Sequence, residues 1–245
     1  PKKIHEFYFS RLNRIVPIYW LITLFIVLIY FLLPDIFRNL TLDIKKIISS
    51  LFFTSKIVTG GFPIIVVGWT LEWEMLFYFI FGLSLFLKDI RKIIVLIFLF
   101  MLLIFTFSKT LLIFEFFLGV LIGYTYNKVK FNETNGLIIL IIGIILLLLS
   151  INSGFDPHKH LLVAGIKLDR FIIWGIPSAF IVLGAVYYRQ ISNSFLIYLG
   201  DASYSIYLVQ VLTIPFFYKF LTYFNIEINS NLLTILCLFL SVSFG

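Results

Sequence analysis

The sequence predicts an all-α fold: a polytopic membrane helical bundle with about eight transmembrane helices and one interfacial or re-entrant segment. Three observations predict it. Of 245 residues, 61% are hydrophobic and 13% charged, with a mean hydropathy of +1.09, whereas soluble domains carry about 25% charged residues. Apolar runs close to the ~20 residues that cross a bilayer follow one another along the chain. Only short polar turns separate them, so residues 1–245 read as a single integral-membrane domain. The net charge of +7 is scattered between the apolar runs as flanking Lys and Arg, which suits membrane anchors and not a nucleic-acid surface. One cysteine, Cys237, excludes an internal disulfide and a cysteine metal cluster. Three histidines, His5, His158 and His160, give no basis for a multi-histidine metal site. No bound cofactor is expected.

Lys2, Lys3, Arg11 and Arg14 precede the first span, expected at 15–33, and mark its start as cytoplasmic. Pro17 then falls in the first turn, where a missing N–H is tolerated. The stretch 44–58 is apolar-periodic but carries Lys45, Lys46 and Lys56, as an interfacial or re-entrant helix would. The run 64–87 leads back in to Lys88, Arg91 and Lys92. Spans at 93–107 and 111–126 form a tight pair returning to Lys128 and Lys130. The second carries Glu115 near its start, then Gly119 and Gly123, a small-xxx-small pair expected to admit another helix closely.

A span at 137–151 leads out to N-S-G-F-D-P-H-K-H, a turn composition that places His158 and His160 in solvent. The span 171–188 contains Pro177, expected to kink it and free a carbonyl. Asp201 is expected to N-cap a helix at 202–220, whose early turns carry Ser203, Tyr204, Ser205 and Tyr207, followed by Gln210. A last span begins near 232. Tight cation clusters set this orientation, although nine of the 19 Lys and Arg, Arg38, Lys45, Lys46, Lys56, Lys109, Lys159, Lys167, Arg170 and Lys219, fall on the far side. The chain opens at Pro1 without methionine and stops at Gly245 within an apolar run, and is expected to be a fragment incomplete at both ends.

The run 64–87 holds the stretch around which the chain is organised: G-W-T-L-E-W-E-M-L-F-Y, residues 68–78. It carries Glu72 and Glu74. A charged Asp, Lys or Arg at the centre of a membrane helix costs about 2.5–3.5 kcal/mol on insertion scales, and ionised glutamate should be comparable. At ~1.5 Å per residue, Glu74 lies about 15 Å along the run, near the bilayer midplane. Thr70, Glu74 and Tyr78 share one helix face at i, i+4 and i+8, as the lining of a polar cavity would. Glu72 points nearly the opposite way. It is expected at a helix–helix contact or protonated beside lipid, where its removal relieves a desolvation cost. A simple hydrogen-bonded staple between helices is the alternative for both carboxylates.

Three stretches together resemble membrane acyltransferase family 3, and most closely its exopolysaccharide-type branch: R-L-N-R-I-V-P-I-Y-W at 11–20, the stretch 68–78, and L-G-D-A-S-Y-S-I-Y-L at 199–208. F-E-F-F-L-G-V-L-I-G at 114–123 and W-G-I-P-S-A-F at 174–180 also fit. The family's core has about ten spans, and its catalytic histidine lies in a first span that this sequence does not include; His5 is not that residue. Where similar proteins often carry histidine, this chain has Gln210, which cannot act as a base near neutral pH.

The resemblance implies a multi-pass enzyme of the cell membrane that O-acylates sugars. An acyl-CoA, expected to be acetyl-CoA, would be the co-substrate, bound from the cytoplasm. The acceptor would be a lipid-linked sugar or a growing exopolysaccharide. Glu74 is the implied catalytic residue. Arg11 and Arg14, at i and i+3, would hold the CoA phosphates through their planar forks, or serve only as anchors. Trp69, Thr70, Tyr78, Ser203 and Tyr204 complete the expected substrate-binding set, with no metal. A transporter or flippase of a polysaccharide intermediate, or a non-catalytic membrane partner, are the competing readings. The absence of an internal repeat counts against a transporter built from duplicated halves.

Overall fold

Every regular element among the described residues is helical. An apolar chain in hydrocarbon requires this, because a helix satisfies its backbone N–H and C=O groups internally. The computed structural model describes residues 4–34, 37, 40–151, 170–188, 192–224 and 229–244. The helices are α1 (Ile4–Leu32), α2 (Ile44–Leu51), α3 (Ser55–Val58) and α4 (Trp69–Ser84), the last entered through a 3-10 turn at Val66–Gly68. Then come α5 (Ile90–Ser108), α6 (Ile113–Lys128) and α7 (Glu133–Ser150). A π-helical stretch, Phe171–Gly175, leads into α8 (Ile176–Tyr187), followed by α9 (Ser194–Tyr223) and α10 (Ser230–Phe244).

Each expected span corresponds to a helix. Among the described residues five stretches are long and apolar enough to cross a membrane: Ile4–Leu32, Val66–Ser84, Ile90–Ser108, Glu133–Ser150 and Ser194–Tyr223. The other three expected spans are shorter helices, α6, Phe171–Tyr187 and α10. The segment at 44–58 forms two helices of 8 and 4 residues, too short to cross. His158 and His160 lie outside the described residues.

Three local expectations need correction. α1 begins at Ile4, so Pro17 lies inside the helix and not in its first turn. α9 begins at Ser194, capped by Asn193, whose side chain accepts from the Phe195 and Leu196 N–H groups at 2.9 and 3.2 Å. Asp201 is therefore an exposed residue within the helix. Gly200 costs a helix roughly 1 kcal/mol relative to Ala, which is too little to end it when apolar residues continue on both sides. Gly119 and Gly123 face open space: a Cβ at either would meet nothing within 4 Å.

The chain divides into two compact units, Pro1–Phe79 with Ser192–Gly245, and Ile80–Ile191. In the first, Tyr19, Ile22 and Ile26 of α1 pack with Ile64, Ile65, Leu71 and Leu208. The α2–α3 turn is tied to this core through Trp20, whose indole N–H donates to the Leu51 carbonyl at 2.8 Å, and through the Ile64 N–H, which donates to Ser50 Oγ at 2.9 Å.

In the second unit the close helix contact lies between α7 and α8. A Cβ at Gly184 would fall 2.4 Å from the Leu140 nitrogen, and one at Gly143 would fall 2.7 Å from the Ile181 nitrogen. Backbone meets backbone there, as small residues permit between membrane helices. Replacing Gly184 by Ala should therefore cost at least about 1–3 kcal/mol, since backbone atoms cannot swing aside as side chains do. Thermal unfolding of the purified protein should show the loss, while Gly119→Ala, whose Cβ meets nothing within 4 Å, should raise the transition slightly, by the roughly 0.5–1 kcal/mol that Ala gains over Gly in a helix.

At one end of this unit Arg170 Nε lies 3.5 Å from Glu115 Oε1. Gly175 makes room for the glutamate, since a Cβ there would meet Glu115 Cγ at 3.2 Å. At the other end the Tyr187 hydroxyl lies 3.0 and 2.7 Å from the Thr125 and Val129 carbonyl oxygens. Pro177 sits in the first turn of α8, directly after the π-helical stretch. The interruption expected from this proline thus takes the form of a local change of helical pitch.

Candidate functional site

Within the first unit, α1, α4 and α9 enclose a cavity of about 270 Å³, lined by Arg14, Ile15, Thr70, Leu71, Glu74, Tyr78, Ser203, Tyr204 and Tyr207. Six of the eight residues singled out from sequence line it: Arg14, Thr70, Glu74, Tyr78, Ser203 and Tyr204. Arg11 and Trp69 do not.

Helical periodicity sets the α4 wall. Thr70, Glu74 and Tyr78 stack along one face, and the Tyr78 hydroxyl donates to Glu74 Oε1 at 2.5 Å. This occupies one carboxylate oxygen with a neutral donor and fixes the side chain. Arg11 supports Tyr78 from behind: its guanidinium lies 5.6 Å from the Tyr78 ring centre and 5.7 Å from that of Phe7, within cation–π range. Its buried Nε has no hydrogen-bond partner. Arg14, one turn on, is exposed and reaches the cavity. The two arginines share a helix face but have different surroundings.

The α9 wall is tied in by two phenols. The Tyr204 hydroxyl donates to the Ile15 carbonyl of α1 at 3.0 Å. The Tyr207 hydroxyl donates to the Val67 carbonyl at 2.8 Å and lies 2.9 Å from Thr70 Oγ1. Ser203 Oγ donates to the Gly200 carbonyl of its own helix at 2.7 Å, which leaves its lone pairs open to the cavity. Tyr8 joins α1 to α4 through the Phe79 carbonyl at 2.9 Å. Tyr207 was legible in the sequence as the residue one turn beyond Ser203 and Tyr204, yet it was not among the residues singled out. Gln210 does not line the cavity.

Gly68 explains the start of the 68–78 stretch. A Cβ there would fall 2.9 Å from the Tyr19 ring. Tyr19 is fully buried and stacked on Phe53 at 4.6 Å, so it has no room to retreat. The glycine lets α4 start against α1, with Trp69, half-buried, as its first residue.

Of the settings expected for Glu72, a contact with another helix is the one found. It does not lie unpaired beside lipid. Its two carboxylate oxygens accept the Ser55 and Lys56 backbone N–H groups at 2.8 and 3.0 Å. Those groups open α3 and have no partner within that helix, so the carboxylate caps it. No local pattern reports these partners, because they are main-chain atoms 17 and 16 residues upstream.

Comparison with known proteins decides the family. The family model for the acyltransferase domain (Acyl_transf_3) matches residues 1–245. The chain belongs to acyltransferase family 3. It is also 32% identical over 225 residues to a protein of Rhizobium meliloti (strain 1021) named exopolysaccharide production protein ExoZ, a match covering 83% of this chain and 66% of that protein. The chain thus spans just under two thirds of the length of this relative. No solved structure matches it. Among the described residues no group of three or more His, Cys, Asp or Glu side chains is placed to hold a metal ion.

Proposed function

We propose that this family 3 chain belongs to a membrane O-acyltransferase that moves an acyl group, expected to be acetyl, from cytoplasmic acyl-CoA to a sugar hydroxyl of an exopolysaccharide or its lipid-linked precursor. The observation that carries the proposal is the cavity, where a carboxylate, an arginine and several hydroxyls converge inside an apolar helical chain. A membrane chain keeps such groups at depth when they serve a pathway or a reaction. The similarity to an exopolysaccharide production protein supports the acceptor class.

In the reaction the sugar oxygen attacks the thioester carbonyl carbon. A C–O bond forms, the C–S bond breaks, the hydroxyl proton passes to a base and the CoA thiol leaves. Such transfer needs a base beside the hydroxyl and donors at the developing oxyanion. Tyr78 holds Glu74 through one oxygen. The other is left for the acceptor hydroxyl, or for the base that deprotonates it. Ser203 and Tyr204, whose protons go to the Gly200 and Ile15 carbonyls, present hydroxyl oxygens on the opposite wall that can accept from a sugar hydroxyl. Arg14 serves the donor phosphates directly. Arg11 stands on the same donor side and also holds the Tyr78 ring.

The donor role of the arginines is testable by Arg→Lys changes, which keep the charge but lose the planar fork. Arg14→Lys should weaken acyl-CoA binding by about ten-fold, as expected when a bond to a charged group worth ~1.5 kcal/mol is lost. Arg11→Lys should weaken it too, with the protein still inserted normally. Unchanged affinity in both, measured by titration calorimetry, would reduce the pair to membrane anchors.

A further inference from the structure

The unit Ile80–Ile191 holds a second cavity, and its chemistry is of another kind. About 320 Å³ in volume, it is lined by Leu87, Arg91, Lys92, Val95, Leu96 and Leu99. Lys92, Val95, Leu96 and Leu99 recur at i, i+3, i+4 and i+7, so the cavity is a groove along one face of α5. At ~1.5 Å per residue it runs about 10 Å from its charged end to its apolar end. Val95 and Leu99 are 55% and 54% exposed, and α5 is apolar enough to cross a membrane. The walls therefore face hydrocarbon.

The cavity wall is almost wholly apolar, so both cations line one end with their aliphatic stems, and both are exposed. The intervening acid of this turn, Asp89, is already engaged: its side chain accepts the Arg91 N–H at 2.9 Å and caps α5. No ion pair forms on Arg91 or Lys92 among the described residues. The positive end of the α5 dipole adds to their field. An uncharged lipid would leave this end uncompensated, and a small soluble anion would leave the apolar walls unused. A molecule that satisfies both ends carries an anionic head beside an alkyl chain.

We infer that this groove binds one anionic phospholipid of the surrounding bilayer, with its phosphate at Arg91 and Lys92 and an acyl chain along Val95, Leu96 and Leu99. The site is independent of acyl transfer.

Native mass spectrometry of the full chain, released from bilayers of equal parts phosphatidylglycerol and phosphatidylcholine, tests it. The unaltered protein should retain phosphatidylglycerol in preference. Arg91→Gln with Lys92→Gln should reduce that retention about 25-fold, or roughly five-fold per cation near an anionic head. Val95→Trp keeps both charges but fills the groove, and should reduce retention as well. Val186→Trp, on an exposed position of α8, should not. Size-exclusion profiles check that each variant is folded. Equal retention by the charge variant would overturn the site. So would a loss confined to the charge variant, because the cations would then act as a plain surface without the groove.

Discussion

Glu74→Gln should abolish acylation of the polysaccharide while the protein still accumulates in the membrane. The substitution keeps the size of the side chain and an oxygen that can accept from Tyr78, so the α4 wall should hold its geometry. What is lost is the negative charge beside the proton that moves during transfer. Removing a group that takes part in proton transfer costs about 10²–10⁴-fold in rate, and at the lower limit acetylation falls to about one part in a hundred. The measurement is the acetyl content of the polysaccharide in cells whose own enzyme has been deleted, with membrane abundance measured in parallel. Normal acetylation by Glu74→Gln would remove the cavity from the chemistry.

Glu72→Gln should do the reverse. Read from sequence alone, this carboxylate sits at a helix–helix contact or protonated beside lipid, and neutralising it promises equal or better stability. The structure reverses that expectation. A carboxylate accepts from both Ser55 and Lys56 N–H groups, whereas a carboxamide has one accepting oxygen and turns an NH₂ donor toward the other N–H. The carboxamide oxygen can keep the fully buried Ser55 N–H, but its NH₂ then faces the exposed Lys56 N–H, and the lost bond to a charged group costs about 1.5–3 kcal/mol. The α2–α3 turn should loosen, with lower thermal stability and lower membrane abundance, while activity per molecule changes little. Stability equal to that of the unaltered protein would mean that the two hydrogen bonds contribute nothing net.

These two glutamates mark the limit of what the sequence carries. Helical periodicity was enough to put Thr70, Glu74 and Tyr78 on one face, because a helix fixes i, i+4 and i+8 whatever surrounds it. The motif in α9 supplied Ser203 and Tyr204, and tertiary structure brings them to the same cavity. The role of Glu72 depends on a four-residue helix whose position follows from chain reversal, and no local pattern reports that. The glycines give a similar contrast. Gly119 and Gly123 have the close-packing spacing but face open space, whereas Gly136, Gly143 and Gly184 meet backbone atoms. Which glycine is covered depends on the partner helix, and spacing along one helix cannot reveal it. The start of α9 was missed because Gly200-Asp201 resembles a helix boundary, while the cap in use, Asn193, lies seven residues earlier than Gly200.

Site-directed labelling tests the proposal that acyl-CoA enters the cavity beside Glu74. Cys237 is the chain's one cysteine, so a Cys237→Ala background leaves a single thiol when Ser203, exposed on the cavity wall, is changed to Cys. The rate of maleimide labelling at that thiol is then followed with and without a non-transferable thioether analogue of acetyl-CoA. The account predicts that saturating analogue slows labelling about ten-fold or more, and that Arg14→Lys raises the concentration needed. A labelling rate unchanged at saturating analogue, in protein shown to bind it, would place the donor elsewhere and contradict the claim.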